Sequence, residues 1–494
     1  MFDATLQAFL HVLIDPVGLG LCVIGVVVGI ILGALPGISS TMSLAVLLPF
    51  SFGMDLDRSM LFLMAVFSAS VYGGSISAIL INIPGTPGAI VTQMDGYPMA
   101  RKGRAGEALT YALLASTLGG IFGWLLLIGL APVVASVALV FQSPEFAAIT
   151  LFGLTMLAYA SPGSTFLGII GGIIGLLVAT VGFDPTTDVS RFTFGIAPLQ
   201  AGLGLIPAAV GIFGVAEVLQ NIEHSGPRLK MITEIKRILP PWDEAKRLWP
   251  ICIRGSLIGA FVGAIPAAGS AIAVSLSYAQ EKRMSRNPER FGTGIPEGIV
   301  APESANNSCV GGALIPMITL GIPGDSMTAV LIGALLIHGL RPGPDMFRSH
   351  LDFVAIVYVS LFLAVVVTLV LGLYGNRYFA RVLQLPRPML LTAVMLLCIV
   401  GSFAVRNSLF DVVVMLGFGV VGYLMNRVGM PTAPVIFGMV LGPLLEDNIR
   451  RSLILYGNWS AFVERPISLA LILLSLAALV YPLIQIVWTK RRTT

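Results

Sequence analysis

Apolar stretches close to the ~20 residues that a helix needs to cross a bilayer follow one another from residue 16 to residue 488, separated by short polar turns. Such a chain has few options. In hydrocarbon only a helix or a closed barrel satisfies every backbone amide. The runs here are long and rich in Leu, Val, Ile, Gly and Ala, residues 361–373 being typical; a membrane barrel shows ~10-residue segments of alternating character. Strands are not indicated. With 56% hydrophobic and 11% charged residues, against about 25% charged in a soluble domain, the chain reads as an all-α polytopic membrane protein of about ten to twelve transmembrane helices.

The places where these runs break carry more information. Asn82-Ile83-Pro84-Gly85-Thr86-Pro87-Gly88 lies inside one apolar run, and Gly321-Ile322-Pro323-Gly324-Asp325-Ser326 lies inside another. A Pro removes a backbone donor and clashes with the preceding turn, and a neighbouring Gly leaves helical dihedrals cheaply. Both stretches, residues 82–88 and 321–326, are therefore expected to interrupt helices. Interrupted backbone is tolerated in a membrane only where protein or water covers it, so such breaks line cavities.

A second pair precedes them. Gly33-Ala34-Leu35-Pro36-Gly37-Ile38-Ser39-Ser40 and Gly263-Ala264-Ile265-Pro266-Ala267-Ala268-Gly269-Ser270 match at an offset of 230 residues, while Tyr72-Gly73-Gly74 and Ile83-Pro84-Gly85 match Val310-Gly311-Gly312 and Ile322-Pro323-Gly324 at offsets of 238 and 239. Taken alone, each Pro turn is either an ordinary loop or the tip of a re-entrant hairpin. Similar elements recurring in the same order favour tips, near residues 36–41 and 266–270. Paired Gly/Pro-interrupted segments in two halves are the best sequence pointer to a transporter binding site. The expected architecture is two inverted-topology repeats with discontinuous helices and two re-entrant hairpins, moving as an elevator-like carrier.

The halves are expected at residues 1–222 and 251–494. Between them residues 223–250 form the most hydrophilic stretch, with six Lys or Arg against four acids, and Lys/Arg excess in a short loop marks the cytoplasmic side. Lys490-Arg491-Arg492 likewise puts the C-terminus inside. Residues 1–15 carry Asp3 and no Lys or Arg, unlike the basic start of a cleaved signal peptide. Cys22, Cys252, Cys309 and Cys398 show no metal-binding or disulfide spacing and read as core thiols. The net charge of +4 gives no reason to expect nucleic acid.

Together these motifs resemble the large membrane subunit of the tripartite tricarboxylate transporters. The likeness rests on Gly33-Ala34-Leu35-Pro36-Gly37, on Tyr72-Gly73-Gly74-Ser75 leading to Asn82-Ile83-Pro84-Gly85-Thr86-Pro87, on Asp95-Gly96-Tyr97-Pro98, on Glu297-Gly298-Ile299-Val300-Ala301-Pro302-Glu303-Ser304-Ala305-Asn306-Asn307, and on Leu320-Gly321-Ile322-Pro323-Gly324. Ala267-Ala268 after Pro266 departs from the Pro-Gly pattern. The resemblance implies secondary, cation-coupled uptake of a tricarboxylate or dicarboxylate across the bacterial inner membrane, with Na⁺ or H⁺ as coupling ion and no other cofactor. It also implies a small membrane subunit and a periplasmic solute-binding protein as partners, and leaves room for a homodimer of the complex.

A carboxylate at mid-membrane needs stabilisation, and Lys or Arg there is expensive. Helix N-termini freed by the breaks offer amides and the positive dipole end instead. The substrate candidates are therefore Ser39, Ser40, Thr41, Gly85, Thr86, Pro87, Ser270, Gly324 and Ser326, although small hydroxyl residues also simply pack helices closely. A coupling cation prefers carbonyl and carboxylate oxygens, which points to Asn306, Asn307, Asp325 and the main chain at Gly85. Asp325 serves equally well as a helix cap. Glu297 and Glu303, in a stretch that begins polar, are expected to face water, with proton carrying or pairing with Arg286 or Arg290 as the alternatives. The absence of a Gly-Lys dipeptide excludes a P-loop, and neither a Ser/His pair nor a twin for Asp325 supports an intramembrane protease. An anion channel is the stronger alternative, but two unlike breaks suit an asymmetric carrier pocket better than a filter.

Overall fold

The computed structural model describes residues 2–160, 165–184, 187–223, 239–266 and 268–493. The first half contains α1 (Phe2–Ile14), α2 (Pro16–Ala34), α3 (Ser40–Leu47), α4 (Leu56–Ile81), α5 (Thr92–Met99), α6 (Ala105–Ala138), α7 (Ser143–Ala160), α8 (Thr165–Ala179), α9 (Leu205–Ala209) and α10 (Ala216–Glu223). The second contains α11 (Trp242–Ala264), α12 (Gly269–Met284), α13 (Glu297–Leu320), α14 (Ser326–Ile337), α15 (Met346–Ser349), α16 (Leu351–Val382), α17 (Arg387–Arg406), α18 (Leu409–Arg427), α19 (Ala433–Tyr456), α20 (Ala461–Glu464) and α21 (Pro466–Thr493).

Among the described residues seven helical stretches are long and apolar enough to cross a bilayer: Pro16–Ala34, Leu56–Ile81, Thr92–Ala138, Leu205–Glu223, Leu351–Val382, Arg387–Arg406 and Leu409–Arg427. Fewer qualify than the ten to twelve expected, because other apolar runs are cut short, as in Ser40–Ser51, Thr165–Ala179 and Ser326–Ile337. The α13 helix is long enough but carries Glu297, Glu303, Asn306 and Asn307. The connection after α8 corrects a second expectation: Gly182–Phe183 and Ser190–Arg191 pair as a two-residue antiparallel ladder. Arg450 donates to Asp184, and Arg191 to Glu446, tying that ladder to the end of α19. Residues 224–238 of the connector lie outside the described residues; from Trp242 the rest of it belongs to α11.

Burial sorts the helices into centre and rim. The α4 span is 94% buried and the Arg387–Arg406 span 22%, so α4 has almost no lipid face while α17 is mostly exposed. The α13 helix is buried continuously from Gly298 to Thr319. Glycine rows set both central packings. Gly25, Gly29 and Gly33, four residues apart and so on one face of α2, let the backbone of α4 approach until an added Cβ would stand 2.7, 2.9 and 2.2 Å from the carbonyl oxygens of Phe62, Val66 and Ser70. Gly255, Gly259 and Gly263 on α11 do the same to Ala301, Ala305 and Cys309 on α13, at 2.6, 2.1 and 2.5 Å. Gly73 faces the Ile30 carbonyl as Gly312 faces that of Ala260, at 2.6 and 2.4 Å. Small residues that bring backbones together are the usual means of helix association in lipid.

Candidate functional site

Each central helix ends in a left-handed residue, which a Pro two positions on prevents from resuming the helix: Asn82 (φ 59°) closes α4 and Gly321 (φ 72°) closes α13. The freed chain then doubles back onto its own helix. The Gly85 amide donates to the Gly74 carbonyl at 3.2 Å, and its Cα is so close to α2 that a Cβ would meet the Gly33 oxygen at 2.1 Å. Gly324 sits against Ala313 in the same way, at 2.6 Å.

These pinned breaks and the two Pro turns surround one cavity of about 500 Å³. Ser39, Ser40 and Thr41 enter it from the first turn, Thr86 and Pro87 from the first break, Ser270 from the second turn, and Asp325 and Ser326 from the second break; Asn306 enters from α13. Gly85, Gly324 and Asn307 do not line it. The two glycines are close-packing positions, and Asn307 turns its amide back to the Glu303 carbonyl at 3.2 Å. The sequence pattern missed one wall entirely, residues 429–433 between α18 and α19. Gly429-Met430-Pro431-Thr432 is itself a Gly/Pro interruption between two apolar arms, and that was the available signal.

The polar groups around the cavity are in unequal states. Ser39 is used up: its hydroxyl accepts from the Met42 amide, capping α3, and donates to Glu217 on α10 at 2.9 Å. Asn221 on the same helix grips the neighbouring turn by donating to the Gly37 carbonyl at 2.8 Å. Asp325 also has a local task. Its carboxylate accepts from the Thr328 amide, and the Thr328 hydroxyl accepts from the Asp325 amide, a complete capping box at the start of α14. By contrast Ser40 Oγ, Thr86 Oγ1, Asn306 Oδ1 and Asn306 Nδ2 are buried with no hydrogen-bond partner among the described residues. Each buried polar group left so costs roughly 1–3 kcal/mol, and here they come from three separate segments onto one cavity. No side chain caps α12, and among the described residues no partner is recorded for the first amides at Gly269 and Ser270. Apart from Asp325 the wall contains no Asp, Glu, Lys, Arg or His among the described residues.

The expectation that Glu303 faces water or pairs with Arg286 or Arg290 fails. It is fully buried on α13 and accepts hydrogen bonds from Ser75 on α4 at 2.6 Å, from Ser116 on α6 at 2.8 Å, and from Thr92 on α5. Glu297, one helix end away, pairs with Arg247 at 3.3 Å rather than with Arg286 or Arg290.

Residues 19–437 match the family model described as the tripartite tricarboxylate transporter TctA family. An Agrobacterium vitis protein described as an uncharacterized 52.8 kDa protein in the TAR-I ttuC' 3' region is 38% identical over 484 residues, covering 97% of this chain and 95% of its own length. A second from the same organism, from the TAR-II ttuC' 3' region, is 35% identical over 234 residues, 47% of this chain and 97% of its own length.

Proposed function

Since the chain belongs to the TctA family of tripartite tricarboxylate transporters, and is thus a multi-pass membrane component of a transporter and not an enzyme, we propose that it carries a carboxylate through the cavity between its two breaks, driven by a cation gradient. The observation that carries this proposal is the set of four orphaned polar atoms on Ser40, Thr86 and Asn306. A carboxylate accepts hydrogen bonds from both hydroxyls, from Asn306 Nδ2 and from the open amides at the starts of α3 and α12. The N-terminal ends of those helices add a favourable dipole without a buried Lys or Arg. Asp325 opposes a second negative charge, so a cation held by its carboxylate and by Asn306 Oδ1 completes the balance, as oxygen ligands suit Na⁺.

The matched glycine rows support two repeats of inverted topology, with the Pro36 and Pro266 turns as the tips of re-entrant hairpins and the core of both breaks moving against the exposed rim helices as in an elevator. By family, the partners are a small membrane subunit and a periplasmic solute-binding protein that selects the substrate, in a bacterial inner membrane with the C-terminus cytoplasmic. The test is uptake of a panel of labelled carboxylates by proteoliposomes holding the full transporter, with and without a Na⁺ or pH gradient. Saturable, gradient-dependent uptake is expected. Flux that neither saturates nor accumulates makes the protein an anion channel instead.

A further inference from the structure

Several buried acids lie outside the cavity wall, and one of them is held by side-chain hydroxyls from three helices. Glu303 sits one helical turn before Asn306, where α13 meets α4, α5 and α6, and each of those helices sends it one hydroxyl. Ser75 and Thr92 share Oε1, and Ser116 holds Oε2. An intramembrane carboxylate is expensive and is ordinarily paired or functional, yet no cation interacts with this one among the described residues. Several charged and titratable groups on the surrounding helices are engaged with other partners. Tyr72 on α4 donates to Asn376, and Asp95 on α5 accepts from the amides of Gly292, Gly294 and Ile295 and from Tyr278 of α12. Tyr111 on α6 donates to Glu244, Arg254 on α11 is held by Glu281 of α12, and Glu297 on α13 by Arg247.

We propose that Glu303 is a proton-binding site of the carrier, taking up and releasing one proton as the first break shifts locally against α13 within the core. It rests on the transport reading above and assigns one coupling ion within it. The choice of donors distinguishes this acid from Asp325. Asp325 Oδ1 accepts from the Thr328 amide as well as the Thr328 hydroxyl, and since an amide only donates, a proton on that oxygen breaks the cap. A hydroxyl both donates and accepts: when Glu303 gains a proton its own O–H donates to one of its hydroxyl partners, which reorients, and no group is stranded. The same geometry links the proton to motion. Ser75 lies on the helix that leads into the first break and Thr92 just beyond it, so a shift of that segment withdraws both donors from Oε1. A buried carboxylate that loses such donors favours its neutral form.

The test uses the full-length chain in proteoliposomes and two readouts. Infrared difference spectra across a pH titration should show a buried protonated-carboxyl band that Glu303→Gln removes and Asp325→Asn keeps; in the full transporter, Glu303→Gln should cut pH-gradient-driven citrate accumulation by about tenfold or more while citrate exchange across equal pH stays within about threefold of wild type. Should Glu303→Gln fold poorly, Ser116→Ala, which keeps the acid and removes its Oε2 donor, should shift the midpoint of the band. A titrating band without uptake of citrate or of any other carboxylate of the panel would leave the proton site standing and remove the carrier reading. An unchanged band in Glu303→Gln, or unchanged pH-driven accumulation, would overturn the proton site.

Discussion

The two breaks each follow a helix closed by a left-handed residue, yet they finish differently. After Asn82 the chain passes through Thr86 into a single tight turn at Pro87–Ala89 and becomes α-helical again only at Thr92, leaving the Thr86 hydroxyl buried and unpartnered. After Gly321 it restarts at once, because Asp325 and Thr328 satisfy each other in a capping box. The first break therefore has a donor to spare for a ligand, while the second has a negative charge and little else. On the proposed reading, one motif used twice gives a substrate-facing side and a cation-facing side, an asymmetry that a repeat of identical breaks does not provide.

The largest effects should come where the halves are alike. Gly33→Leu and Gly263→Leu each force a side chain into a carbonyl at 2.2 or 2.5 Å, and overpacking of this kind costs about 1–3 kcal/mol or more. Both variants should lose monodisperse protein in size-exclusion chromatography to a similar degree. A severe loss in one and none in the other would mean that the two packings are not equivalent. Next come the breaks themselves. Thr86→Val should raise the half-saturating carboxylate concentration by about threefold to tenfold, the worth of one hydrogen bond, with cation dependence unchanged; Asp325→Asn should do the reverse, weakening the response to Na⁺ more than to substrate. Equal effects of the two on both parameters would erase the proposed division. The smallest effect separates neighbours in one turn. Ser39→Ala removes a cap, costing about 1 kcal/mol and lowering the unfolding temperature, whereas Ser40→Ala should leave that temperature alone and weaken carboxylate uptake.

Much of this arrangement was legible because Pro and Gly act locally. Pro84 and Pro323 stop a helix wherever they stand, and their spacing of 239 residues, close to the 230 between Pro36 and Pro266, is what points to a repeat. The cavity wall followed for Ser40, Thr86, Ser270 and Asp325, since each sits within four residues of such a Pro. Glu303 was misjudged for the opposite reason. Its donors, Ser75, Thr92 and Ser116, lie on three other helices, so nothing in its own neighbourhood announces them, and the polar start of its segment suggested water. Small residues around it, Ala301, Ser304, Ala305 and Ser308, were the available sign that other helices come close. Gly85 and Gly324 were credited with ligand contact when their lack of a side chain serves only close packing. The two-residue ladder at Gly182–Phe183 depends on distant Arg450 and was out of reach of any local pattern.

The most direct measurement is substrate protection of one engineered thiol on each break. In a background where Cys22, Cys252, Cys309 and Cys398 are replaced by Ala, Thr86→Cys and Ser326→Cys should both react with a small charged thiol reagent, and citrate should slow both reactions while choline slows neither. Protection of both positions by the same carboxylate is the result expected of a shared cavity. Protection of neither, or of only one, would contradict it.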